Sequence, residues 1–335
     1  MRSEQSRIPV LDGVRGFAAL VVLIAHSAQI LLGATFLRGL GQQGVALFFI
    51  LSGFLMTWLY AERPFNRANL RTYAVHRVGR VLPLYYAVIL VSLLAGSSVI
   101  WTFPFAGPRE FAEHAFLLMG QQTLWTIPIE VQFYVLFPIL WRDASKARPW
   151  RAITVLAVAF LSLALAIRLM GYDPPLLPMW GHCFLIGAGI ALVAKRHTGG
   201  AQKRHWMGWT ALALFFAAVP GLRTELGLPV GPNYWDPLTV GSSVLLFVAC
   251  LYQLGPLRIL DGAVPRWLGR VSYSVYLLHL PVLLTIERTD LPRGIAFMLT
   301  FAITFALAEL SFRYIETPAR RWIASRNSAS ERAVL

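Results

Sequence analysis

The stretch LDGVRGFAALVVLIAHS, residues 11–27, decides the fold, because it sets two ionisable side chains in an apolar run long enough to cross a bilayer. Arg15 and His26 are eleven residues apart, which in an α-helix returns them to one face, separated by about 16 Å along the axis. An ionisable group at membrane depth costs free energy unless it lines a polar cavity or meets a partner. The stretch therefore indicates a membrane helix that carries a functional site; a histidine that is only hydrogen-bonded inside a helix bundle is the alternative.

The composition of the chain is that of an integral membrane protein. Of the 335 residues, 57% are hydrophobic and 14% are charged, and the mean hydropathy is +0.59, values far from the soluble globular average. Apolar runs between charged or Gly/Pro-rich breaks predict about ten transmembrane helices in one all-α bundle. The predicted spans are residues 9–31, 41–61, 81–99, 126–141, 152–170, 178–194, 206–222, 238–254, 271–287 and 294–314.

The spans form one predicted domain. We expect one transmembrane domain over residues 1–322 and a short, polar, disordered cytoplasmic tail over residues 323–335. The first apolar run is too long for a signal peptide and lacks a small-residue cleavage site, so we expect a retained helix. Cys183 and Cys250 lie in apolar segments without ligand-like spacing, which argues against a disulfide framework and against a metal site.

The basic residues indicate orientation rather than a nucleic-acid partner. The formal net charge is +14, which in a soluble chain would suggest nucleic acid or an anionic surface. Assigning the loops to alternate sides places 24 of the 30 Lys and Arg residues on one side and six on the other. The positive-inside rule then places both termini in the cytoplasm. The six residues of the other side are Arg38, Arg109, Arg168, Arg223, Arg288 and Arg293.

The loop after the second span runs into RTYAVHRVGRVLPLYY, residues 71–86, which is dense in basic groups. Arg77 and Arg80 are three residues apart, so a helix presents both guanidinium groups on one face. Guanidinium groups bind phosphate or pyrophosphate in a bidentate manner that lysines do not match. The pair predicts an anion site, with positive-inside anchoring of a helix end as the alternative.

Two further ionisable residues lie inside predicted spans. Glu130 is about a turn inside the outer boundary of the fourth span, where a carboxylate must be paired or neutralised. It either pairs with a histidine, binds substrate hydroxyls, or snorkels to the interface. His279 lies about 12 Å from the cytoplasmic start of the ninth span, among serines and tyrosines that either contact substrate or join helices by hydrogen bonds.

The last span ends in RYIETPARR, residues 313–321, where charges follow helical spacing. Arg313 with Glu316, and Glu316 with Arg320, are predicted ion pairs. This cluster is expected to be mainly structural, with assistance to phosphate binding beside Arg77 and Arg80 as the alternative.

The motifs described above resemble those of the membrane acyltransferase-3 family, and the resemblance covers nearly the whole chain. The family's opening motif contains an arginine and a histidine, which correspond to Arg15 and His26. Its third-helix motif contains an arginine pair, which corresponds to Arg77 and Arg80, and another motif contains a glutamate, which corresponds to Glu130. The matching segments, in family order, are LDGVRGFAALVVLIAH, FFILSGFLM, HRVGRVLPLYY, WTIPIEVQFYVLFP, SYSVYLLHLP and RYIETPARR.

The resemblance implies an O-acyltransferase in the membrane, most simply a multi-pass O-acetyltransferase of the bacterial inner membrane. Its donor would be a cytoplasmic acyl-coenzyme A, expected to be acetyl-coenzyme A, and its acceptor a hydroxyl of a saccharide, glycan or glycosylated small molecule. Many relatives carry an additional outer hydrolase-like domain, which is not expected in this chain. No metal and no nucleic acid are expected, and the oligomeric state is not predicted.

The acceptor side of the reaction is assigned to three residues. His26 is expected to act as general base on the acceptor hydroxyl, a role that suits a group titrating near neutrality. His279 or Glu130 is expected to orient the imidazole or the acceptor. A covalent acyl-histidine intermediate at His26 is a variant of the same reading.

The donor side is assigned to three arginines. Arg77 and Arg80, helped by Arg15, are expected to hold the phosphates of coenzyme A, because a polyanion needs delocalised charge that persists at neutral pH. The competing function is a multi-pass transporter or flippase of a polar or lipid-linked solute, in which the same ionisable groups form a permeation path. The sequence shows neither an inverted repeat nor paired broken helices, which favours the enzyme.

Overall fold

The computed structural model of the chain describes residues 8–95, 103, 105, 107–172, 174–196, 205–232 and 235–332. Across these ranges the regular structure is helical and no strand occurs, which confirms the all-α class. The described ranges contain thirteen α-helices: α1 (Val10–Leu32), α2 (Leu40–Tyr60), α3 (Arg67–Ala95), α4 (Pro108–Ala115), α5 (Thr126–Ser145), α6 (Pro149–Leu169), α7 (Leu177–Arg196), α8 (His205–Ala217), α9 (Pro220–Glu225), α10 (Pro237–Leu251), α11 (Ala263–Glu287), α12 (Arg293–Ser311) and α13 (Thr317–Arg332).

Several of these helices are long and apolar enough to cross a membrane. Within the described residues there are seven such segments, and eight if α10 and the following 3₁₀ turn, bent by 70°, count as one span. Each of the ten predicted spans overlaps a described helix, residues 96–99 of the third span lie outside the described residues, and the count of ten and the cytoplasmic position of both termini stay predictions. The seven segments are Val10–Leu32, Thr35–Tyr60, Arg67–Leu94, Gln122–Ser145, Pro149–Leu169, Leu177–Arg196 and Arg293–Arg326.

The predicted span over residues 206–222 is wrong as one continuous helix. Helix α8 has 13 residues, about 20 Å, which is less than the roughly 30 Å of a hydrocarbon core. The chain leaves helical geometry at Val219, and Pro220 starts the short helix α9. Proline inside a helix removes a backbone hydrogen bond and clashes with the preceding turn, so the break follows from the sequence.

The polar segment after Trp322 is also more ordered than expected. Helix α13 continues to Arg332, so the predicted disorder of residues 323–335 is wrong over its first ten residues. Alanine, arginine and glutamate, all good helix formers, occur in this segment. Residues 333–335 lie outside the described part of the chain.

The helices form two compact units. Unit 1 comprises Met1–Glu62 and Ile139–Ser272, and unit 2 comprises Arg63–Pro138 and Tyr273–Leu335. The single domain expected over residues 1–322 stays a prediction.

In unit 1, α2 lies against α1 and α7. Its approach to α7 is close at two glycines. A Cβ atom on Gly53 would lie 1.9 Å from the carbonyl oxygen of Phe184, and one on Gly187 would lie 1.9 Å from that of Ile50. Small residues let membrane helices approach at backbone distance, so these two glycines fix the α2–α7 contact.

Two more glycines position the start of α1, which carries Arg15. A Cβ atom on Gly13 would lie 1.8 Å from the carbonyl oxygen of Leu260, and one on Gly269 would lie 1.9 Å from that of Asp12. The first turns of α1 are therefore in backbone contact with the 3₁₀ turn Gly255–Asp261 and the beginning of α11.

A buried ion pair closes a loop of unit 1. Arg223 on α9 donates to Asp236 at 2.6 Å and also to the carbonyl of Pro229, and both charged side chains are at least 95% buried. Asp236 caps α10, since its Oδ2 accepts from the Thr239 backbone N–H at 2.9 Å and hydroxyl at 2.6 Å, while its Oδ1 accepts from the N–H of Gly231 at 3.0 Å. We call Arg223 and Asp236 the loop ion pair.

The hydrogen bonds decide the charge state of Asp236. Burial alone raises the pKa of this carboxyl, but the hydrogen bonds from Arg223, Thr239 and Gly231 outweigh burial and lower the pKa to about 2. The carboxylate is therefore ionised across the physiological range.

In unit 2, α3 is the longest helix and carries most of the polar contacts. The hydroxyls of Tyr85 and Tyr86 donate to the carbonyls of His114 and Ala115, at 3.0 and 2.9 Å, and so hold the last turn of α4 against α3. Helix α12 passes through a π turn, Phe312–Glu316, into α13, which also packs on α3.

Candidate active site

Arg15 lies on the second turn of α1 and forms an ion pair. Its Nη1 is 3.4 Å from Oδ1 of Asp12, and the arginine side chain is 13% exposed. The sequence analysis did not predict this partner, although the i, i+3 spacing of Asp12 and Arg15 is a helical ion-pair spacing. Arg15 is thus a partly buried cation held close to its own helix.

His26 lies in the second half of α1 and contacts α2. Its side chain is partly buried, and a Cβ atom on Gly41 would lie 3.5 Å from its Nε2. The imidazole therefore packs against the first turn of α2, inside unit 1. A neighbouring polar residue of that turn, Gln43, is fully buried and donates to the Phe215 carbonyl at 2.8 Å and to the Ser242 hydroxyl at 3.3 Å.

Arg77 and Arg80 lie on α3 in unit 2, both partly buried. The Arg77 guanidinium sits over the ring of Tyr134 on α5, 5.6 Å from its centroid, a cation–π contact. A hydrogen bond of 2.9 Å from the Tyr73 hydroxyl to the Tyr134 carbonyl joins the same two helices. Arg77 is therefore oriented by an aromatic residue that the sequence analysis did not single out.

Glu130 accepts a hydrogen bond from a tyrosine that the sequence analysis did not single out. The Tyr134 hydroxyl donates to Oε1 of Glu130 one turn away on α5. Glu130 and Tyr134 have i, i+4 spacing, so the helical periodicity contained the signal. Tyr134 thereby contacts a carboxylate through its hydroxyl and a guanidinium through its ring.

His279 on α11 is completely buried. Its Nδ1 lies 3.1 Å from the carbonyl oxygen of Val275 and 2.8 Å from that of Tyr276. Because carbonyl oxygens only accept, Nδ1 carries the proton, and the lone pair of the neutral ring is on Nε2. The local backbone thus fixes both the tautomer and the ring orientation.

Glu316, at the end of the π turn, is 1% exposed. It forms an ion pair with Arg320 and accepts a hydrogen bond from the Ser274 hydroxyl on α11. The predicted Glu316–Arg320 pair is confirmed. Arg313 instead pairs with Glu309 at 2.5 Å, because a π turn replaces i, i+4 by i, i+5 bonding and rotates Arg313 away from Glu316.

Five charged side chains of unit 2 lie within electrostatic range of one another or of Tyr134. Arg80 lies within electrostatic range of both Glu316 and Arg320, and Arg77 lies within range of Arg320. Gly79, between the two arginines of α3, faces α13, since a Cβ atom added there would lie 3.6 Å from the Arg320 Cα, an ordinary van der Waals contact. We call the group the arginine cluster; its members are Arg77, Arg80, Arg320, Glu130 and Glu316.

The predicted residues thus fall into two sets. Unit 1 contains Arg15 and His26. Unit 2 contains Arg77, Arg80, Glu130 and His279. Tyr134 contacts Arg77 and Glu130 and lies within electrostatic range of Arg80, and Glu316 and Arg320 lie in the same unit. Among the described residues, no three His, Cys, Asp or Glu side chains are grouped to hold a metal ion.

Comparison with known proteins identifies a family. Residues 8–310 match the family described as an acyltransferase domain. The chain is 28% identical to "Putative peptidoglycan O-acetyltransferase YrhL" of Bacillus subtilis (strain 168), over 93% of the chain and 55% of that protein. It is 26% identical to the peptidoglycan O-acetyltransferase OatA of Listeria monocytogenes, over 96% of the chain and 57% of that protein.

A third relative has the same extent of match. The O-acetyltransferase OatA of Staphylococcus aureus (strain NCTC 8325 / PS 47) is 25% identical over 94% of the chain and 57% of its own length. The chain therefore spans little more than half the length of these curated relatives. No solved structure matches.

Proposed function

We propose that this chain, which belongs to the acyltransferase domain family over residues 8–310, is a membrane O-acetyltransferase of the bacterial inner membrane. The donor is acetyl-coenzyme A, and the acceptor is a hydroxyl group of a saccharide, with peptidoglycan as the first candidate. Support for the acetyl group and the saccharide comes from the relatives, two of which are named for peptidoglycan O-acetylation. The observation that carries the donor assignment is the arginine cluster of unit 2.

The charges of the arginine cluster suit a polyphosphate. Three guanidinium groups share two carboxylates, which leaves one positive charge in excess among these five side chains. Guanidinium groups stay protonated at neutral pH and bind phosphate oxygens through paired N–H donors. Arg77 and Arg80 are therefore the residues that hold the phosphates of the donor, and Arg15 is proposed to assist them.

The acetyl transfer needs a base for the acceptor. The acceptor oxygen attacks the thioester carbonyl, the new C–O bond replaces the C–S bond, and the acceptor proton must leave. His26 is the proposed general base: it accepts this proton and returns it to the coenzyme A thiolate. A neutral imidazole suits this role, and such proton transfer contributes about 10²- to 10⁴-fold.

Glu130 and His279 are proposed to orient the acceptor. Glu130 is held by the Tyr134 hydroxyl, and a carboxylate fixed in this way accepts hydrogen bonds from sugar hydroxyls in one direction. His279 keeps its Nδ1 proton on backbone carbonyls, so only Nε2 can accept a further hydrogen bond. Neither residue needs to change protonation state in this scheme.

The experiment is acetyl transfer by the purified chain in nanodiscs. Acetyl-coenzyme A with a labelled acetyl group is mixed with peptidoglycan fragments, and coenzyme A release and labelled saccharide ester are both measured. His26→Ala should lower ester formation by at least about 10²-fold, while His205→Ala, on the exposed start of α8, should leave it unchanged. Wild-type rates in His26→Ala would remove His26 from catalysis, and solute uptake into proteoliposomes without thioester consumption would favour the transporter.

A further inference from the structure

A cavity of about 370 Å³ lies within unit 2, and no member of the arginine cluster lines it. It is formed by α3, α11 and the end of α12 with its π turn, and Phe103 also lines it. Its wall on α3 runs from Leu84 to Ser92, about 12 Å along the helix axis. We call it the α3–α12 cavity.

The cavity opens on the surface of helices that are long and apolar enough to span a bilayer. Its rim is exposed, with Val91 and Leu310 each 51% and Tyr314 73% accessible, whereas Leu84 and Val88 at its base are at most 9% accessible. Exposed apolar residues on a membrane-spanning helix face lipid. The opening therefore faces hydrocarbon rather than water.

The π turn explains why the cavity exists. At Phe312–Glu316 the helix widens to i, i+5 bonding, so residues after Leu310 no longer continue the packing stripe of α12. Tyr314 and Ile315 are turned to the surface, and Ser311 is left at the base of the gap. The sequence analysis did not predict this feature, because an apolar run does not reveal a π turn.

Two serines line the otherwise apolar cavity, and they differ in their hydrogen bonding. Ser92 accepts a hydrogen bond from the Phe103 backbone N–H at 3.2 Å. Ser311 is 6% exposed, and its hydroxyl has no hydrogen-bond partner among the described residues. A buried hydroxyl without a partner costs free energy, and Ser311 lines the apolar space of the cavity.

We propose that the α3–α12 cavity binds one acyl chain of a glycerophospholipid, with the Ser311 hydroxyl donating to the ester carbonyl. The hydrocarbon of one leaflet is about 15 Å thick. The cavity is about 12 Å long, so its length fits a single acyl chain within one leaflet. Apolar contact alone does not select a lipid inside a membrane, because lipid tails are as apolar as the helices. The unpartnered hydroxyl therefore supplies the selectivity.

The depth of Ser311 supports an acyl ester over an isoprenoid chain. Ser311 lies at the last residue of α12, two residues before Arg313, where the basic end of the chain begins. Basic residues mark the membrane surface, and the boundary between headgroup and hydrocarbon is where ester carbonyls lie. A polyprenyl chain has no acceptor oxygen along its length and leaves the hydroxyl unpaired.

The test uses the purified chain in nanodiscs of phosphatidylglycerol with a photoactivatable diazirine on one acyl chain. After illumination, mass spectrometry of peptides should find adducts on residues 84–92 and 307–315 at least about 5-fold above those on α6, which presents an exposed apolar surface. Ala87→Phe, which fills the cavity, should remove this excess. Ala157→Phe, on the exposed face of α6, should not.

A second arm needs no cavity-filling variant and tests the carbonyl. An unlabelled ester phospholipid should displace the probe about 2- to 10-fold better than the matching ether phospholipid, the effect of one hydrogen bond, and Ser311→Ala should abolish the difference. Labelling equal to that of α6 would overturn the site. Equal competition by ester and ether lipids, or stronger competition by polyprenyl phosphate, would overturn the acyl-ester assignment.

Discussion

The loop ion pair of unit 1 is buried and the arginine cluster of unit 2 is partly buried, and the two differ in their balance of charge. In the loop ion pair, one guanidinium meets one carboxylate, and both carboxylate oxygens also accept hydrogen bonds from the loop and α10. In the arginine cluster, three guanidinium groups share two carboxylates. A balanced pair satisfies itself, whereas an excess of cations attracts an anion from outside.

The comparison separates a structural role from a functional one. Breaking a buried pair leaves an uncompensated charge and is strongly destabilising. Removing one cation from a cluster with excess positive charge relieves repulsion between like charges. The same type of substitution should therefore reduce stability in unit 1 and ligand binding in unit 2.

The largest effect is expected at the loop ion pair. Asp236→Ala leaves Arg223 buried without its carboxylate and should lower the free energy of unfolding by about 3–5 kcal/mol. The measurement is thermal unfolding of the purified variant in detergent. Asp290→Ala, at an exposed acid of another loop, is the matched control and should unfold as the wild type does.

The loop ion pair also gives a pH dependence with a defined sign. Because the pKa of Asp236 is lowered to about 2, its stabilising contribution is complete above its ordinary pKa near 4 and is lost as the pH falls through 2. The stability difference between wild type and Asp236→Ala should be constant from pH 7 to 5 and shrink below pH 4. A difference that stays constant at pH 2 would contradict the assignment.

The next largest effect is expected at the arginine cluster. Arg80→Ala removes one charged donor and should raise the KM for acetyl-coenzyme A by about 10- to 100-fold, the value of a hydrogen bond to a charged group. Its unfolding temperature should equal or exceed that of the wild type. Arg71→Ala, exposed on the same helix, is the control; an equal rise in KM there would reduce the arginines to topological anchors.

A smaller effect is expected when Arg77 is replaced by lysine, which keeps the positive charge but loses the planar guanidinium group. Arg77→Lys preserves a cation beside Tyr134 but loses the planar fork that binds phosphate through two donors. The KM for the donor should rise about 10-fold or less, with the KM for the saccharide unchanged. Steady-state kinetics with each substrate varied in turn make the distinction, and a change confined to the saccharide KM would contradict it.

The smallest effect is expected at Tyr134. Tyr134→Phe keeps the ring that Arg77 lies over and removes only the hydrogen bond to Glu130. Loss of one such hydrogen bond should lower kcat/KM for the saccharide by about 2- to 10-fold. A change in donor affinity instead would place Tyr134 with the donor site.

The sequence predicted features that depend on local periodicity. The positions of the helices, the shared face of Arg77 and Arg80, and the Glu316–Arg320 pair all follow from helical spacing. The positions where the α-helical geometry is interrupted could not be predicted from hydropathy. Pro220 divides a run that remains apolar throughout, and the π turn at Phe312–Glu316 changes the spacing that was used to pair Arg313.

Contacts between segments far apart in the chain could not be predicted from the sequence. The Tyr73–Tyr134 bond and the Ser274–Glu316 bond join helices far apart in the chain, and no pattern in either helix identifies the other. The Arg223–Asp236 pair lies closer in sequence, but it depends on the loop between α9 and α10. By contrast, Tyr134 and Glu130 were predictable, because they are one helical turn apart.

The central claim is that the arginine cluster binds the phosphates of the donor, and equilibrium binding tests it most directly. Acetyl-coenzyme A is titrated calorimetrically into the purified wild type and into a double variant, Arg77→Ala with Arg80→Ala. We predict that the double variant stays folded and binds at least about 100-fold more weakly. An unchanged Kd in a folded double variant would contradict the account.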